Sequence, residues 1–297
     1  MMKEYYYRIA GFTIMLYAPE AFDMNRLLPS FRPFRCGGEC CEGLLYRFVI
    51  GPPMFPSKGE CELVEESFND LGYVRLLRLT EGYRVEVRST VGGMVYYVHT
   101  DPRFTFATAA LALDDPRAGE VLCSMLRIVF SQAVLYRGGI SLHAAAVTLG
   151  GKAYLFMGKS GTGKSTHAAL WLRCFSGSGL LNDDNPAVCI KDGRVVVYGT
   201  PWSGKTPCYK NECFLLGGIV RLVQAGVNRF IPQEGVDAFI TVLPGCSVIH
   251  TDACLHGELC NTLVTLIEGI PVGVLECLPE EEAALLCAGA LRGNSIC

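Results

Sequence analysis

Residues 158–165 have the types and the spacing that bind phosphate groups. They read Gly-Lys-Ser-Gly-Thr-Gly-Lys-Ser and match the pattern G-x-x-x-x-G-K-[ST]. In this pattern a glycine-rich turn points backbone N–H groups at phosphate oxygens, in front of the positive N-terminus of a helix. Lys164 would reach the outer phosphates and Ser165 would ligate Mg2+. The sequence therefore predicts a binding loop for a nucleotide such as ATP.

The residues on both sides of this loop favour the same interpretation. Residues 153–157 form an apolar run that predicts a strand, and the residues after the loop predict a helix that ends near Phe175. No proline interrupts the loop or the start of this helix. The predicted nucleotide-binding residues are Gly158, Lys159, Ser160, Gly161, Thr162, Gly163, Lys164, Ser165 and Thr166.

A second stretch, residues 199–206, matches the same pattern but does not suit a phosphate loop. Pro201 lacks an N–H that the loop would need, Trp202 is bulky where the backbone must approach closely, and Pro207 stands where a helix would begin. We predict a glycine-bounded loop here instead. Through Trp202 and Lys205 it would cover bound phosphates or grip an acceptor, or it is an ordinary surface loop. Lys205 is kept as a candidate catalytic residue.

Two adjacent carboxylates, Asp183 and Asp184, follow a short predicted strand at residues 180–182. A phosphate loop needs an acid to complete the Mg2+ shell, and phosphoryl transfer to a hydroxyl needs a base that accepts its proton. One strand end would supply both. The alternative is an Asp-Asp-Asn-Pro turn without chemistry.

His143 lies inside another predicted strand, residues 140–147, among small and apolar neighbours. Such a histidine is either a hydrogen-bonded core residue or a functional one, and the sequence leaves both open.

The totals suit a globular protein of one large domain or two. The chain has 297 residues, 50% of them hydrophobic and 19% charged, and a net charge of -3. No basic excess favours nucleic acid, and no apolar run approaches the ~18 residues of a membrane span. The start lacks the apolar core of a signal peptide. We expect a cytoplasmic protein without nucleic-acid or membrane partners.

The fifteen cysteines fit this expectation as reduced thiols that act as small hydrophobic residues. Cys36, Cys40 and Cys41, with Cys61 further on, form a cluster, but its spacing is not that of a zinc site and no histidine lies nearby.

The remaining patterns divide the chain into a β-rich portion, residues 1–115, and an α/β portion, residues 116–297. Residues 104–113 are apolar but ambiguous. Strands are predicted at residues 11–17, 44–50, 73–79, 83–87, 94–99, 187–190, 195–198, 216–223 and 272–277, and helices at 120–136, 236–243, 256–267 and after Pro279.

The order Leu142-His143-Ala144, then residues 158–166, then Asp183-Asp184 resembles the C-terminal domain of HPr kinase/phosphorylase and its relatives in the phosphoenolpyruvate carboxykinase superfamily. The resemblance covers about residues 137–205 and, loosely, the C-terminal third. Residues 199–205 are similar to a segment of HPr-kinase-related proteins found near peptide-modifying enzymes. The resemblance implies an α/β P-loop domain of this type, with the β-rich N-terminal portion packed against it.

By the same resemblance, Lys164 and Thr162 would hold phosphate oxygens. Asp183 would hold Mg2+ together with Ser165, Asp184 would be the base, and His143 would sit beside the reacting phosphoryl group. The family's Glu and Arg-Gly after the acid pair are absent and Gly204-Lys205 stands roughly there, so the resemblance implies neither a second metal contact nor phosphorylase activity. The sequence shows no distinct HPr-recognition region, so HPr is not implied as the substrate.

The implied function is an ATP-dependent kinase that phosphorylates a serine-type hydroxyl of a peptide, protein or small molecule. One alternative is phosphoenolpyruvate carboxykinase-like activity, although those enzymes are much longer. The other is a nucleotide-binding regulatory subunit of a peptide-modification system with little turnover. Because the family often forms rings of subunits, the resemblance also implies a homo-oligomer.

Overall fold

The computed structural model describes residues 1–38, 43–51, 61–69, 72–88, 93–112, 114–204 and 206–293. They form two compact units. The first consists of Met1–Arg137 with Val248–His256, and the second of Gly138–Ser247 with Gly257–Cys297. The division that the sequence suggested at residue 115 stays a prediction. None of the described helices is long and apolar enough to cross a membrane.

The first unit contains a mixed sheet with nine strands in its described part, which confirms the β-rich N-terminal portion. The strands are β1 Met2–Ile9, β2 Phe12–Pro19, β3 Arg35–Cys36, β4 Leu44–Gly51, β5 Glu62–Asn69, β6 Gly72–Leu79, β7 Gly82–Arg88, β8 Val95–Thr100 and β9 Phe106–Ala110. Their order is β3-β1-β2-β4-β9-β8-β7-β6-β5. β4 pairs in parallel with β2 and β9, and the other neighbours are antiparallel.

The helices of this unit are α1 Met24–Leu27, which was not predicted, and α2 Ala118–Ala133, with 3-10 turns at Pro29–Phe34 and Leu135–Arg137. The buried face of α2 carries Val121, Leu122, Met125, Leu126 and Val129, the spacing from which a helix was predicted. This face contacts β4 and β8.

The second unit contains another mixed sheet, again with nine strands in its described part. The strands are β10 Gly139–Ser141, β11 Ala144–Leu149, β12 Lys152–Met157, β13 Gly179–Asn182, β14 Ala187–Lys191, β15 Arg194–Tyr198, β16 Cys213–Gln224, β17 Arg229–Gln233 and β18 Val272–Cys277. The order β10-β14-β15-β16-β12-β11-β13 is extended by β18, which pairs with β16 and β17. Only the described pairs β12–β16 and β16–β18 are parallel.

The helices after β10 are α3 Lys164–Cys174, α4 Gly235–Val242, α5 Ala253–Ile267, whose residues up to His256 belong to the first unit, and α6 Glu281–Arg292. Helices α3 and α6 share a buried core with the sheet of the second unit. Trp171 of α3 is fully buried, and its ring lies 5.0 Å from that of Tyr154 and 5.1 Å from that of Phe156 on β12. Aromatic packing of this kind fixes a helix against its strand. It anchors α3 close to the glycine-rich turn that precedes it.

The single strand predicted at residues 140–147 is wrong. The structure has two strands, β10 and β11, separated at Leu142 and His143. The chain changes partners at this point, because β10 pairs with β14 whereas β11 pairs with β12 and β13. The backbone N–H of His143 donates instead to the carbonyl oxygen of Gly245 at 2.8 Å. The break frees the His143 side chain from the alternation of a strand.

Candidate functional site

Three strand ends meet at one edge of the second sheet. β11 runs antiparallel to both of its neighbours, with Ala144 opposite Met157 of β12 and Ala146 opposite Asn182 of β13. The amino end of β11 therefore lies beside the carboxyl ends of β12 and β13. Because β12 leads into residues 158–165 and β13 leads into the two aspartates, this register brings the predicted site residues to the same place.

Residues 158–165, which we call the glycine loop, form a tight turn after β12 and include the first two residues of α3. Gly158 has a φ of 155° and Gly163, the residue before α3, has a φ of 105°, both in the region that favours glycine. Within the turn, the Thr162 hydroxyl donates to the carbonyl oxygen of Lys159 at 2.6 Å. The strand, turn and helix predicted for this stretch are therefore present.

Lys164 is the first residue of α3, and its ammonium group is buried in the site. Only 9% of the residue is exposed. Its Nζ donates to the carbonyl oxygens of Gly158, at 2.9 Å, and Lys159, at 3.4 Å, and lies 2.9 Å from Nε2 of His143. Three acceptors thus face the three N–H bonds of an ammonium group. The geometry holds the charge at the inner side of the glycine loop.

His143 links Lys164 to Asp184. Its Nδ1 lies 3.0 Å from Oδ1 of Asp184. An ammonium group can only donate, so Nε2 of a neutral His143 accepts from Lys164, and Nδ1 carries the ring proton and donates to the carboxylate. The His143 side chain is 40% exposed, whereas its neighbours Leu142 and Ala144 are fully buried. Both ring nitrogens of His143 therefore have hydrogen-bonding partners, and its side chain is not buried in the core.

The two aspartates turn toward different partners. Asp183 is buried, and its Oδ2 accepts the backbone N–H of Thr206 at 3.1 Å. Asp184 faces His143 through Oδ1 and accepts from Nδ2 of Asn185, at 2.6 Å, through Oδ2. Adjacent carboxylates with separate partners are suited to separate tasks, such as holding a metal ion and accepting a proton.

The stretch around Thr200 lies directly against the aspartates. We call residues 199–204 with Thr206 the Thr200 segment; Lys205, a predicted catalytic residue, lies outside the described residues. A Cβ atom on Gly204 would stand 3.3 Å from the Oδ2 atom of Asp183 and 3.4 Å from the Cβ atom of Asp184. No helix begins at residues 206–212, as expected from Pro201 and Pro207. The segment therefore differs from a phosphate loop and borders the acid pair instead.

The other predicted residues of the glycine loop are more open. Lys159, Ser160, Ser165 and Thr166 are exposed, so their polar groups can reach a ligand. Gln224, at the carboxyl end of β16, donates from Nε2 to the carbonyl oxygen of Gly161 at 3.2 Å. This contact fixes the tip of the loop to the neighbouring strand.

Asn182 and Thr200, which were not predicted as site residues, join the Thr200 segment to residues 183–185, which we call the aspartate turn. Both are fully buried, and their side chains are hydrogen-bonded to each other at 3.2 Å. An asparagine before Asp-Asp-Asn-Pro could have signalled a side-chain-capped turn. Its second partner, eighteen residues further on, has no local signal.

His167 lies near the site but has a structural role. It is buried on α3, and its Nε2 accepts the indole N–H of Trp171 at 3.1 Å. Its ring also meets the edge of Phe156. Burial lowers the pKa of His167 to about 4, so the ring is neutral at physiological pH.

The cysteines of the described chain are all free thiols, and Cys189, Cys208, Cys246 and Cys287 are buried. Cys40 and Cys41 lie outside the described residues. Among the described residues, no group of three or more histidine, cysteine, aspartate or glutamate side chains could hold a metal ion.

The site therefore belongs to a mixed α/β protein built on two large mixed sheets. No protein-family model matches the chain, and no curated protein matches it. Among solved structures, the chain is distantly similar to the HPr(Ser) kinase/phosphatase from Coxiella burnetii. That similarity covers 52% of this chain and 89% of the other, with 13% sequence identity and a TM-score of 0.32.

Proposed function

We propose that the protein is an ATP-dependent kinase that transfers the γ-phosphate to a serine-type hydroxyl of a peptide, a protein or a small molecule. We further propose that its second unit is a P-loop domain of the HPr kinase and phosphoenolpyruvate carboxykinase type. The observation that carries the proposal is the hydrogen-bonded chain Lys164–His143–Asp184. It joins a lysine at a glycine-rich helix start to a carboxylate that can act as a base.

Nucleotide binding rests on the glycine loop and the amino end of α3. Backbone N–H groups at such a turn favour phosphate oxygens, and Lys164 adds a positive charge that must leave at least one of its present acceptors to reach them. Gly158 and Gly163 have the positive φ angles that a tight phosphate turn uses. ATP is the nucleotide that we propose.

Mg2+ prefers oxygen ligands. Ser165 has an exposed hydroxyl in the first turn of α3, and Asp183 has a buried carboxylate whose Oδ2 accepts the backbone N–H of Thr206. We propose that Ser165 and Asp183 would hold the ion. Bound Mg2+ would neutralise charge on the β- and γ-phosphates.

Asp184 is the proposed base. In the transfer, an acceptor hydroxyl gives its proton to Asp184 while its oxygen bonds to the γ-phosphorus, and the bond from that phosphorus to the bridging oxygen breaks to release ADP. His143, which donates to Oδ1 of Asp184, orients the carboxylate toward the acceptor hydroxyl. The chain's own residues thus supply the phosphate grip, the base and the group that aligns the base.

Transfer of labelled phosphate tests this function. The purified protein would be incubated with ATP labelled at the γ-phosphate, Mg2+ and the proteins and peptides encoded beside it, and the products analysed by mass spectrometry. We expect a phosphate adduct on a serine-type hydroxyl. Bound ATP without any adduct would favour a regulatory subunit, and interconversion of oxaloacetate and phosphoenolpyruvate would favour carboxykinase-like chemistry.

A further inference from the structure

We infer that Asn182 is a positioning residue. Its side chain is hydrogen-bonded to the Thr200 segment and to the turn that carries Asp183 and Asp184, and these bonds hold the two carboxylates in place. The inference rests on the proposed function, because it assigns Asp183 to the metal ion and Asp184 to the proton. Asn182 is fully buried at the end of β13, directly before the acid pair.

The oxygen of the Asn182 side chain shapes the turn that carries the acids. Its Oδ1 accepts the backbone N–H groups of Asp184, at 3.0 Å, and Asn185, at 2.8 Å. Bonds from an asparagine side chain to backbone groups two and three residues ahead define a tight local turn. They fix the direction in which Asp184 leaves the strand, toward His143.

The nitrogen of the same side chain holds the Thr200 segment. Its Nδ2 lies 3.2 Å from the carbonyl oxygen of Thr200, 3.2 Å from the Thr200 hydroxyl and 3.0 Å from the carbonyl oxygen of Trp202. The donors and acceptors of one buried amide are thus divided between two stretches of chain. A buried amide is costly to leave unpaired, so the two stretches are stable only together.

Thr200 is itself hydrogen-bonded to the aspartate turn. Its hydroxyl donates to the carbonyl oxygen of Asn185 at 2.7 Å, and Thr200 is fully buried as well. Hydrogen bonds donated by Asn182 and by Thr200 therefore connect the Thr200 segment with the aspartate turn. The backbone N–H of Thr206, in the same segment, donates to Asp183. Asn182 therefore influences the position of Asp183 through the Thr200 segment and the position of Asp184 through the aspartate turn.

Two replacements of Asn182 distinguish the bonds that its oxygen accepts in the aspartate turn from those that its nitrogen donates to the Thr200 segment. Asn182→Asp keeps the acceptor for the turn but loses the donors to the segment, and Asn182→Ala loses both. We expect kcat to fall by about 10- to 100-fold, as is usual when the residues that orient a site are removed. Binding of ATP without Mg2+ should stay unchanged, because none of these bonds involves the glycine loop, whereas the gain in affinity on adding Mg2+ should shrink because Asp183 is displaced. Thr200→Val should act in the same direction, whereas Thr200→Ser keeps the hydroxyl and should retain activity.

Thr241→Val is the control for the loss of a buried hydroxyl elsewhere, because Thr241 is buried on α4 and bonds to Gln233. It should leave kcat unchanged. All assays are run well below the unfolding midpoint of each variant, so that a smaller folded fraction cannot imitate the effect. Full kcat in Asn182→Ala, or equal losses in Thr200→Ser and Thr200→Val, would overturn the inference.

Hydrogen exchange supplies a measurement that does not depend on turnover. In Asn182→Ala we expect faster exchange at the backbone amides of Asp184, Asn185 and Thr206, and unchanged exchange in the glycine loop. Unchanged exchange at Thr206 would overturn the coupling. If the wild-type protein transfers no phosphate, the kinase proposal fails, and the exchange result alone then decides whether Asn182 holds both stretches.

Discussion

Lys164 and His143 share a hydrogen bond of 2.9 Å between Nζ and Nε2, in which the lysine is the donor. The same Nζ also donates to two carbonyl oxygens of the glycine loop. A phosphate group must therefore displace at least one of these acceptors to reach the ammonium group. If the phosphate displaces His143, the ring loses the hydrogen bond from Lys164.

Lys164→Met should lower the rate of phosphate transfer by about 100- to 1,000-fold, because the variant loses the positive charge that stabilises the transferred phosphoryl group. Labelled-phosphate transfer and nucleotide binding measure the loss. Lys152→Met is the matched control, since Lys152 is exposed on β12 and outside the loop. Full activity of Lys164→Met would refute the assignment of the loop.

Asp184→Asn should still bind ATP with Mg2+ but lose transfer by about 100- to 10,000-fold, the usual contribution of a general base. The replacement keeps the shape of the side chain and removes its charge. Asp183→Asn should instead weaken the dependence of nucleotide binding on Mg2+. If Asp184→Asn abolishes binding while Asp183→Asn preserves it, the two acids have exchanged roles.

His143→Ala should lower kcat by about 10- to 100-fold, because Asp184 loses the donor that orients it. His99→Ala serves as the control; His99 lies on β8 in the first unit, and burial together with Arg84 lowers its pKa. Equal losses in the two variants would contradict a role for His143.

Gly204→Ala should reduce transfer by up to about 100-fold, because small displacements of catalytic groups are expensive. The new Cβ would meet the carbonyl oxygen and Oδ2 of Asp183 at 3.3 Å. Gly226→Ala is the matched control, since a Cβ at Gly226 has no atom within 4 Å. Wild-type kinetics of Gly204→Ala would show that the Thr200 segment yields without moving the acids.

The stability of the protein should fall as the pH drops from about 6.5 toward 4, and His167 should contribute to the fall. Its pKa is lowered from 6.5 to about 4 by burial, so the unfolded chain binds a proton that the folded chain refuses in this range. The stabilisation is complete above the unfolded pKa, and its loss amounts to on the order of 3 kcal/mol by pH 4. Urea unfolding at several pH values measures it.

His167→Gln is the matched variant for this measurement. Glutamine offers an acceptor to Trp171 but does not titrate, so its free energy of unfolding should depend less steeply on pH over the same range. Parallel curves for the two proteins would exclude His167 as the source.

The glycine loop was predictable because its pattern is local, and so was the exclusion of residues 199–206 as a second phosphate loop, through Pro201 and Pro207. The environment of His143 was not predictable, because the break between β10 and β11 depends on which distant strands pair with each. The role of Asn182 depends likewise on Thr200, which belongs to a later segment. Strand β1 was a different omission, since the buried alternation of Tyr5, Tyr7 and Ile9 is visible in the sequence.

His143, Lys164 and Asp184 belong to one stretch of 42 residues, 143–184. The antiparallel pairing of β11 with β12 and β13 brings these three residues together in space. During translation, all three residues are synthesised before the parallel strands β16 and β18. Contacts between residues that are close in sequence form quickly. Strands β11, β12 and β13 with α3 can therefore assemble as an early folding nucleus that already contains the centre of the site.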